Sequence, residues 1–166
     1  MAIKFGTDGW RAVIADEYTF ENFRKLSKAT AVAFADHPKL SNGIVIGYDT
    51  RFLSKEFAEC SAEVFANCGI KVYLTDSFVT TPTVSLLSRD KNLAYGVMIT
   101  SSHNPAKYNG FKLKDEYGGS MGTSHLTLIE DVLNKNGEFK YGDKAFEELL
   151  TSGKIEYIAG RDYYIK

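Results

Sequence analysis

The chain reads as an α/β protein: a three-layer α/β/α sandwich with a mixed, mostly parallel sheet. Three observations predict this. Short, near-continuous apolar runs such as Ile44-Val45-Ile46-Gly47-Tyr48 and Ala94-Tyr95-Gly96-Val97-Met98-Ile99 have the composition of strands buried on both faces. These runs alternate with segments whose apolar residues recur at helical spacing, the pattern of successive βαβ units. The step from strand 94–99 to strand 108–113 is too short for a parallel crossover, so one strand should run antiparallel.

Phe20, Phe23, Leu26, Ala29, Ala33 and Phe34 predict a first helix, with Thr19 as its N-cap and an end before Pro38. Gly43 opens the strand 44–48, which gives way to the polar loop Asp49-Thr50-Arg51. A second helix is expected to start with Ser54 as its cap. It carries Phe57, Cys60, Val64, Phe65 and Cys68 and stops at Gly69. Lys71 to Thr75 reads as a strand, and Thr81-Pro82 as a cap with proline in the first turn of a short helix through Leu87. Strand 94–99, a polar turn, and a returning strand from Tyr108 to Leu113 follow, with a reversal at Gly118-Gly119. Thr123 starts a helix with Leu126, Ile129, Val132 and Leu133. Asp143 starts another with Phe146, Leu149 and Leu150, ended by Gly153. Residues 154–166 are rich in strand formers without a closing signal. They are expected to be a linker or the start of a further domain, which sets the domain at 1–153.

At 166 residues the chain can bury ~70% of its unfolded surface in a single core. A formal net charge of −1 with dispersed basic residues argues against nucleic-acid and membrane-surface partners. No apolar run approaches the length of a bilayer span. Met1-Ala2-Ile3-Lys4-Phe5 lacks the apolar region of a signal peptide. Cys60 and Cys68, on one predicted helix, are too far apart to pair there, and two free thiols fit a reducing cytoplasm. Buried cysteines of this kind usually pack as small hydrophobes.

Three polar clusters interrupt the apolar pattern: Gly6-Thr7-Asp8-Gly9-Trp10-Arg11, Asp49-Thr50-Arg51, and Thr100-Ser101-Ser102-His103-Asn104-Pro105 with Lys112 beyond it. The third lies at the end of a buried strand, where α/β sheets bind ligands. Asn104 is biased to extended backbone by Pro105, which stiffens the turn. Serine, histidine and several cations together suggest handling of an anion, most plausibly phosphate. Each residue also has a plainer reading. The Ser-His turn can be a hydrogen-bonded loop, Arg11 and Arg51 ion-pair residues, Lys112 a solvent-facing strand residue, and Trp10 core packing. His37 and His125 carry no assigned chemistry. No G-x-G-x-x-G follows a strand, and Gly142 is followed by Asp143 where a phosphate-binding loop needs lysine. The Ser102 turn lacks the glycines of a nucleophile elbow, and neither zinc spacing nor a D-x-D-x-D cluster is present.

Taken together, the clusters resemble the α-D-phosphohexomutases, the phosphoglucomutase/phosphomannomutase group. Thr100 to Pro105 with Tyr108-Asn109-Gly110-Phe111-Lys112 is similar to the phosphoserine signature and its downstream lysine. Phe5 to Arg11 is similar to the N-terminal substrate loop, and Gly47-Tyr48-Asp49-Thr50-Arg51 to the strand-end motif between them. The resemblance is to the first of four domains, so the chain is expected to be a fragment whose isolated form is inactive.

The resemblance implies that Ser102, once phosphorylated, exchanges a phosphoryl group with a hexose phosphate through a hexose bisphosphate. It implies catalytic roles for Ser102, His103, Arg11 and Lys112, with His103 orienting the site. Arg11 and Lys112 would stabilise charge and are candidates for proton transfer. Substrate contacts are implied for Thr7, Trp10, Arg11, Asn104 and Lys112. Mg²⁺ is implied through the phosphate on Ser102, its remaining ligands coming from outside this chain. The implied partners are the sugar phosphates and the other domains of the enzyme. The competing readings are a noncatalytic phosphosugar or anion-binding module and a Ser/His hydrolase.

Overall fold

The computed structural model describes residues 3–6, 9–135 and 138–165. Its frame is a six-stranded sheet formed by β1 (Trp10–Val13), β2 (Ile44–Tyr48), β3 (Val72–Thr75), β4 (Gly96–Ile99), β5 (Tyr108–Lys114) and β6 (Ile155–Ile158), in the order β1-β5-β4-β2-β3-β6. β5 pairs antiparallel with both β1 and β4, and the remaining pairs are parallel, so β5 alone runs against the rest. This is the mixed, mostly parallel sheet that the short 99–108 connection requires.

Alternation along the strands sorts side chains into two cores. Trp10, Ala12, Ile44, Ile46, Val72, Leu74, Val97, Ile99, Phe111 and Leu113 face the larger core. The helices α1 (Phe20–Ala33), α2 (Ser54–Asn67), α4 (Thr123–Asn134) and α5 (Phe146–Thr151) close that core. Val45 and Met98 face the smaller core under α3 (Thr81–Asp90), with Tyr163 of α6 (Gly160–Ile165) packed against it. Helices thus cover both faces of the sheet. α1 and α2 approach closely because small residues meet there, with the buried Ser27 and Ser61 hydroxyls 2.9 Å apart. Thr19 caps α1 by accepting a hydrogen bond from the Asn22 amide at 3.2 Å. Gly69, at φ +85°, ends α2 in the left-handed conformation glycine tolerates best.

Several expectations need correction. Residues 155–158 do not lie outside the domain: β6 pairs in parallel with β3 as an edge strand, and α6 packs against α3. Ile155 is fully buried and Ile158 packs against the smaller core, so this strand is anchored by packing although Glu156 and Tyr157 are exposed. β1 begins at Trp10 and Arg11, the last two residues of a segment read only as a polar cluster, and no strand was assigned there. The α2 cap is Leu53, at φ +59°, and Ser54 is the first helical residue. Thr80 caps α3 one residue earlier than expected, and α5 starts at Phe146, after Ala145, instead of at Asp143. No helix among the described residues is long and apolar enough to cross a membrane.

Candidate active site at the C-terminal edge of the sheet

The loops after β2 and β4 leave from adjacent strands at one edge of the sheet, the edge where parallel α/β sheets bind ligands. Arg51 joins the two loops. Its Nη1 donates to the carbonyls of Pro105 and Tyr108, both at 3.0 Å. Its Nη2 donates to those of Ser102 and Asn104, at 2.8 and 2.7 Å. Asp49 aims the guanidinium, with Oδ2 3.5 Å from Nε, while its Oδ1 accepts from the Arg51 amide and the Ser54 hydroxyl. Arg51, open in the sequence to an anion-binding or an ion-pair reading, is therefore a staple that fixes the 102–108 loop.

Within that loop, neighbouring serines point opposite ways. Ser101 is fully buried, and its hydroxyl has no hydrogen-bond partner among the described residues. Ser102 is exposed and holds φ at +55°, an uncommon conformation for a residue other than glycine. Its amide donates to Thr100 Oγ1 at 3.0 Å, and the Asn104 amide donates to the Ser101 carbonyl at 3.1 Å. These bonds and the Arg51 staple hold the kink that turns Ser102 outward. His103 is exposed beside it, and Asn104 is half-buried.

Cations line the sheet just below. Arg11 pairs in register with Gly110, and the Thr100 amide donates to the Gly110 carbonyl at 3.0 Å, so Thr100, Gly110 and Arg11 form one row across three strands. Lys112 lies opposite Met98 two rows away, on the same face as Arg11. Glycines make room for both stems. A Cβ on Gly110 would sit 3.1 Å from Arg11 Cγ, and one on Gly9 would sit 3.1 Å from Lys112 Cγ. Lys112 is 6% exposed, so it is buried and not the solvent-facing strand residue its alternation suggests. Ser102 follows Thr100, in the Arg11 row, by two residues along the chain, just beyond the end of β4.

Trp10 does not join them. Alternation in β1 places it on the face opposite Arg11, where it is 4% exposed and stacks on Tyr18 at 4.9 Å. Its expected substrate contact is corrected to core packing. Thr7 lies outside the described residues. A cavity of about 440 Å³ opens beside the loop, lined in part by Asp49, Thr50, Thr80, Met98 and Thr100. It borders the staple, whereas Ser102, Arg11 and Lys112 are not among its walls.

Sequence reasoning missed a buried polar chain under the loop. Asn109 Nδ2 donates to the Ser54 hydroxyl at 2.9 Å, and Ser54 donates to Asp49 at 2.8 Å. Asn109 Oδ1 accepts from the Gly110 amide, which locks the strand beside Arg11. The available signal was an asparagine next to Gly110 inside a strand otherwise mixing apolar residues with Lys112 and Lys114. Tyr18 braces the same point by donating to the Gly110 carbonyl at 2.9 Å. Burial, and then the nearby charges of Asp49 and Cys60, raise its phenol well above the ordinary tyrosine range, so it remains a donor.

Comparison with known proteins gives a consistent result. The family profile described as phosphoglucomutase/phosphomannomutase, alpha/beta/alpha domain I, matches residues 2–140. The phosphoglucomutase of Staphylococcus saprophyticus is 34% identical over 167 aligned residues, covering 95% of this chain and 29% of its own length. That of Staphylococcus epidermidis (strain ATCC 12228) is 39% identical over 138 residues, covering 81% of this chain and 25% of its own. A crystal structure from Thermus thermophilus, described as that of a phosphomannomutase, superposes with a TM-score of 0.83 at 33% identity. It covers 99% of this chain and 35% of that one. The open form of the Paramecium phosphoglucomutase pp63/parafusin shares the fold, with a TM-score of 0.80 at 20% identity over 92% of this chain and 29% of that one. This chain therefore spans about a third or less of the proteins it matches. It belongs to the phosphoglucomutase/phosphomannomutase family and corresponds to its α/β/α domain I.

Proposed function

We propose that this chain is the phosphoserine-bearing domain of a hexose-phosphate mutase of the glucose or mannose type. The observation that carries the reading is the outward Ser102 on a stapled left-handed turn, two residues beyond the row that holds Arg11. In the proposed reaction the P–Oγ bond of phosphorylated Ser102 breaks as a P–O bond forms to a sugar hydroxyl. The hydroxyl gives up its proton and Ser102 Oγ takes one up. After the bisphosphorylated sugar turns around, its other phosphoryl group returns to Ser102, giving net exchange between hexose 1-phosphate and hexose 6-phosphate.

Such transfers depend mostly on alignment and charge stabilisation. A serine phosphate brings about −1.5 to −2 charges, which Arg11 and Lys112 would offset. A guanidinium gives up a proton far less readily than an ammonium, so of the two Lys112 is better suited to carry a proton. His103 would orient the site, and Asn104, with Arg11 and Lys112, would contact the sugar phosphate. A substrate contact from Thr7 is proposed on the resemblance alone.

Magnesium fits the donor this chain offers, since the oxygens of a phosphate on Ser102 are the hard ligands it prefers and it would neutralise charge there. Among the described residues no group of three His, Cys, Asp or Glu gathers around a point that could hold a metal. Asp49 is engaged by Ser54 and the Arg51 amide. The remaining ligands are therefore proposed to come from other domains of a longer protein, as are the other walls of the sugar site. A cytoplasmic setting is proposed alongside, on the strength of two free cysteines.

The test compares this chain, the longer protein carrying it, and its Ser102→Ala variant on glucose and mannose phosphates. Mutase activity is expected only in the unaltered longer protein. Undiminished activity in Ser102→Ala refutes the reading. Sugar-phosphate binding with no turnover in any of the three favours the noncatalytic module.

A further inference from the structure

We propose, resting on the mutase reading above, that Asn109 is a positioning residue for the reacting serine: from inside the core it orders Ser54, Asp49 and Arg51 in turn, and so sets the turn that presents Ser102. Asn109 lies opposite Ala12 in β5, on the face turned away from Arg11 and Lys112. It is fully buried, so it meets no substrate. Its Oδ1 accepts from the Gly110 amide at 2.8 Å. A backbone amide can only donate, so the oxygen must face it, and Nδ2 must face the loop after β2. There Nδ2 donates to Ser54 Oγ at 2.9 Å and reaches the Phe52 carbonyl at 3.4 Å. Ser54, itself buried, accepts from Asn109 and sends its single proton to Asp49 Oδ1 at 2.8 Å.

Each link of this chain has a fixed direction. The amide can only donate to the hydroxyl, the hydroxyl passes its proton on, and the carboxylate can only accept. Asp49 Oδ1 also accepts from the Arg51 amide at 2.9 Å, and Oδ2 faces Arg51 Nε at 3.5 Å. Four loop carbonyls, that of Ser102 among them, take the remaining guanidinium hydrogens. Losing one member of such a buried chain leaves its neighbours unpaired and out of reach of water. Asn109 is thus the inner end of a chain whose outer end is the backbone of the reacting serine. Phosphoryl transfer depends on alignment. Arg11 and Lys112 stand on the other face of the sheet. A displaced turn should therefore lower kcat far more than it changes KM for the sugar phosphate.

Two variants cut the chain at different links. Asn109→Asp keeps the side chain's shape and the oxygen that faces Gly110 but removes the N–H groups. Ser54→Ala breaks the next link and leaves the Gly110 contact in place. In the 166-residue chain each should speed hydrogen exchange at the Asn104 and Tyr108 amides about five- to tenfold, the effect of one buried hydrogen bond. Neither should add to the exchange of Arg51→Met, because the chain acts through that guanidinium, whereas a general loss of packing would add in full. In the longer protein kcat should fall about tenfold or more, with KM changed less than about twofold. Loop exchange in Ser54→Ala equal to the original's overturns the proposal even if Asn109→Asp fails to fold. Additive exchange in the Arg51→Met background overturns it too, as does an unchanged kcat. No turnover in the unaltered longer protein, with the exchange results as expected, would sink the mutase reading while upholding the hold of Asn109 on the turn.

Discussion

Replacing Arg51 by methionine should loosen the loop that presents Ser102. The variant removes four hydrogen bonds, to the carbonyls of Ser102, Asn104, Pro105 and Tyr108. The bonds to Ser102 and Pro105 are exposed, and water replaces them at little cost. Those to Asn104 and Tyr108 are partly buried, and each should cost about 1 to 1.5 kcal/mol. The Asp49 contact, at 3.5 Å, adds little for a partly exposed pair. The sum is about 2 to 3 kcal/mol, which for a chain of this size lowers Tm by roughly 5 to 10 °C. If the loop opens without global unfolding, its amides should exchange about thirtyfold faster or more. Arg51→Lys should recover only part of the loss, because an ammonium cannot reproduce the planar fork that spans these carbonyls. Circular dichroism melting and hydrogen exchange at the Asn104 and Tyr108 amides measure both effects. A methionine variant that melts with the original and keeps its loop protection would refute the staple.

Three further outcomes follow from the same geometry. Ser102→Gly should be about 1 kcal/mol more stable to urea than Ser102→Ala, because position 102 holds φ at +55°; equal stabilities would contradict the strained turn. Gly110→Ala should cost about 3 kcal/mol or more in the same assay, since its Cβ would lie 2.5 Å from the Thr100 carbonyl oxygen and 2.9 Å from that of Trp10. A near-neutral result would show that the strands can part there. His37 has its pKa lowered, chiefly by burial, so the folded protein favours the neutral ring. Its contribution should be complete above about pH 6.5 and fall away as pH drops through the window down to the lowered folded value. Melting curves of His37→Gln between pH 7.5 and 5 should be flatter than those of the original, and parallel curves would contradict this.

The strands that carry the site were legible because burial on both faces leaves an uninterrupted apolar run. β2 and β4 are buried at every position. β6 was not legible, because only Ile155 of its four residues is buried and its identity as a strand depends on pairing with β3, far earlier in the chain. β1 was hidden for a related reason: it alternates Trp10 and Ala12 into the core with Arg11 toward the site, so it reads as a polar motif. Residue type alone marked Arg51 as a cation. Where its donors go depends on a loop folding back more than fifty positions along the chain. Ser54 shows the same limit, since its hydroxyl goes to Asp49 and Asn109 and a left-handed Leu53 supplies the cap. The sequence reading assigned chemistry to Ser102, His103, Arg11 and Lys112, choosing Ser102 over Ser101 by its place before His103. What needed the backbone was the burial of Ser101 and the four carbonyls that Arg51 holds.

Site-resolved phosphate mapping tests the central claim most directly, using the longer protein that carries this chain with Ser101→Ala and Ser102→Ala variants alongside. Ser102 faces solvent and Ser101 is sealed in the core, so a single phosphate is expected on Ser102, kept in Ser101→Ala and absent from Ser102→Ala. Phosphate on Ser101, or phosphate that survives Ser102→Ala, would contradict the account.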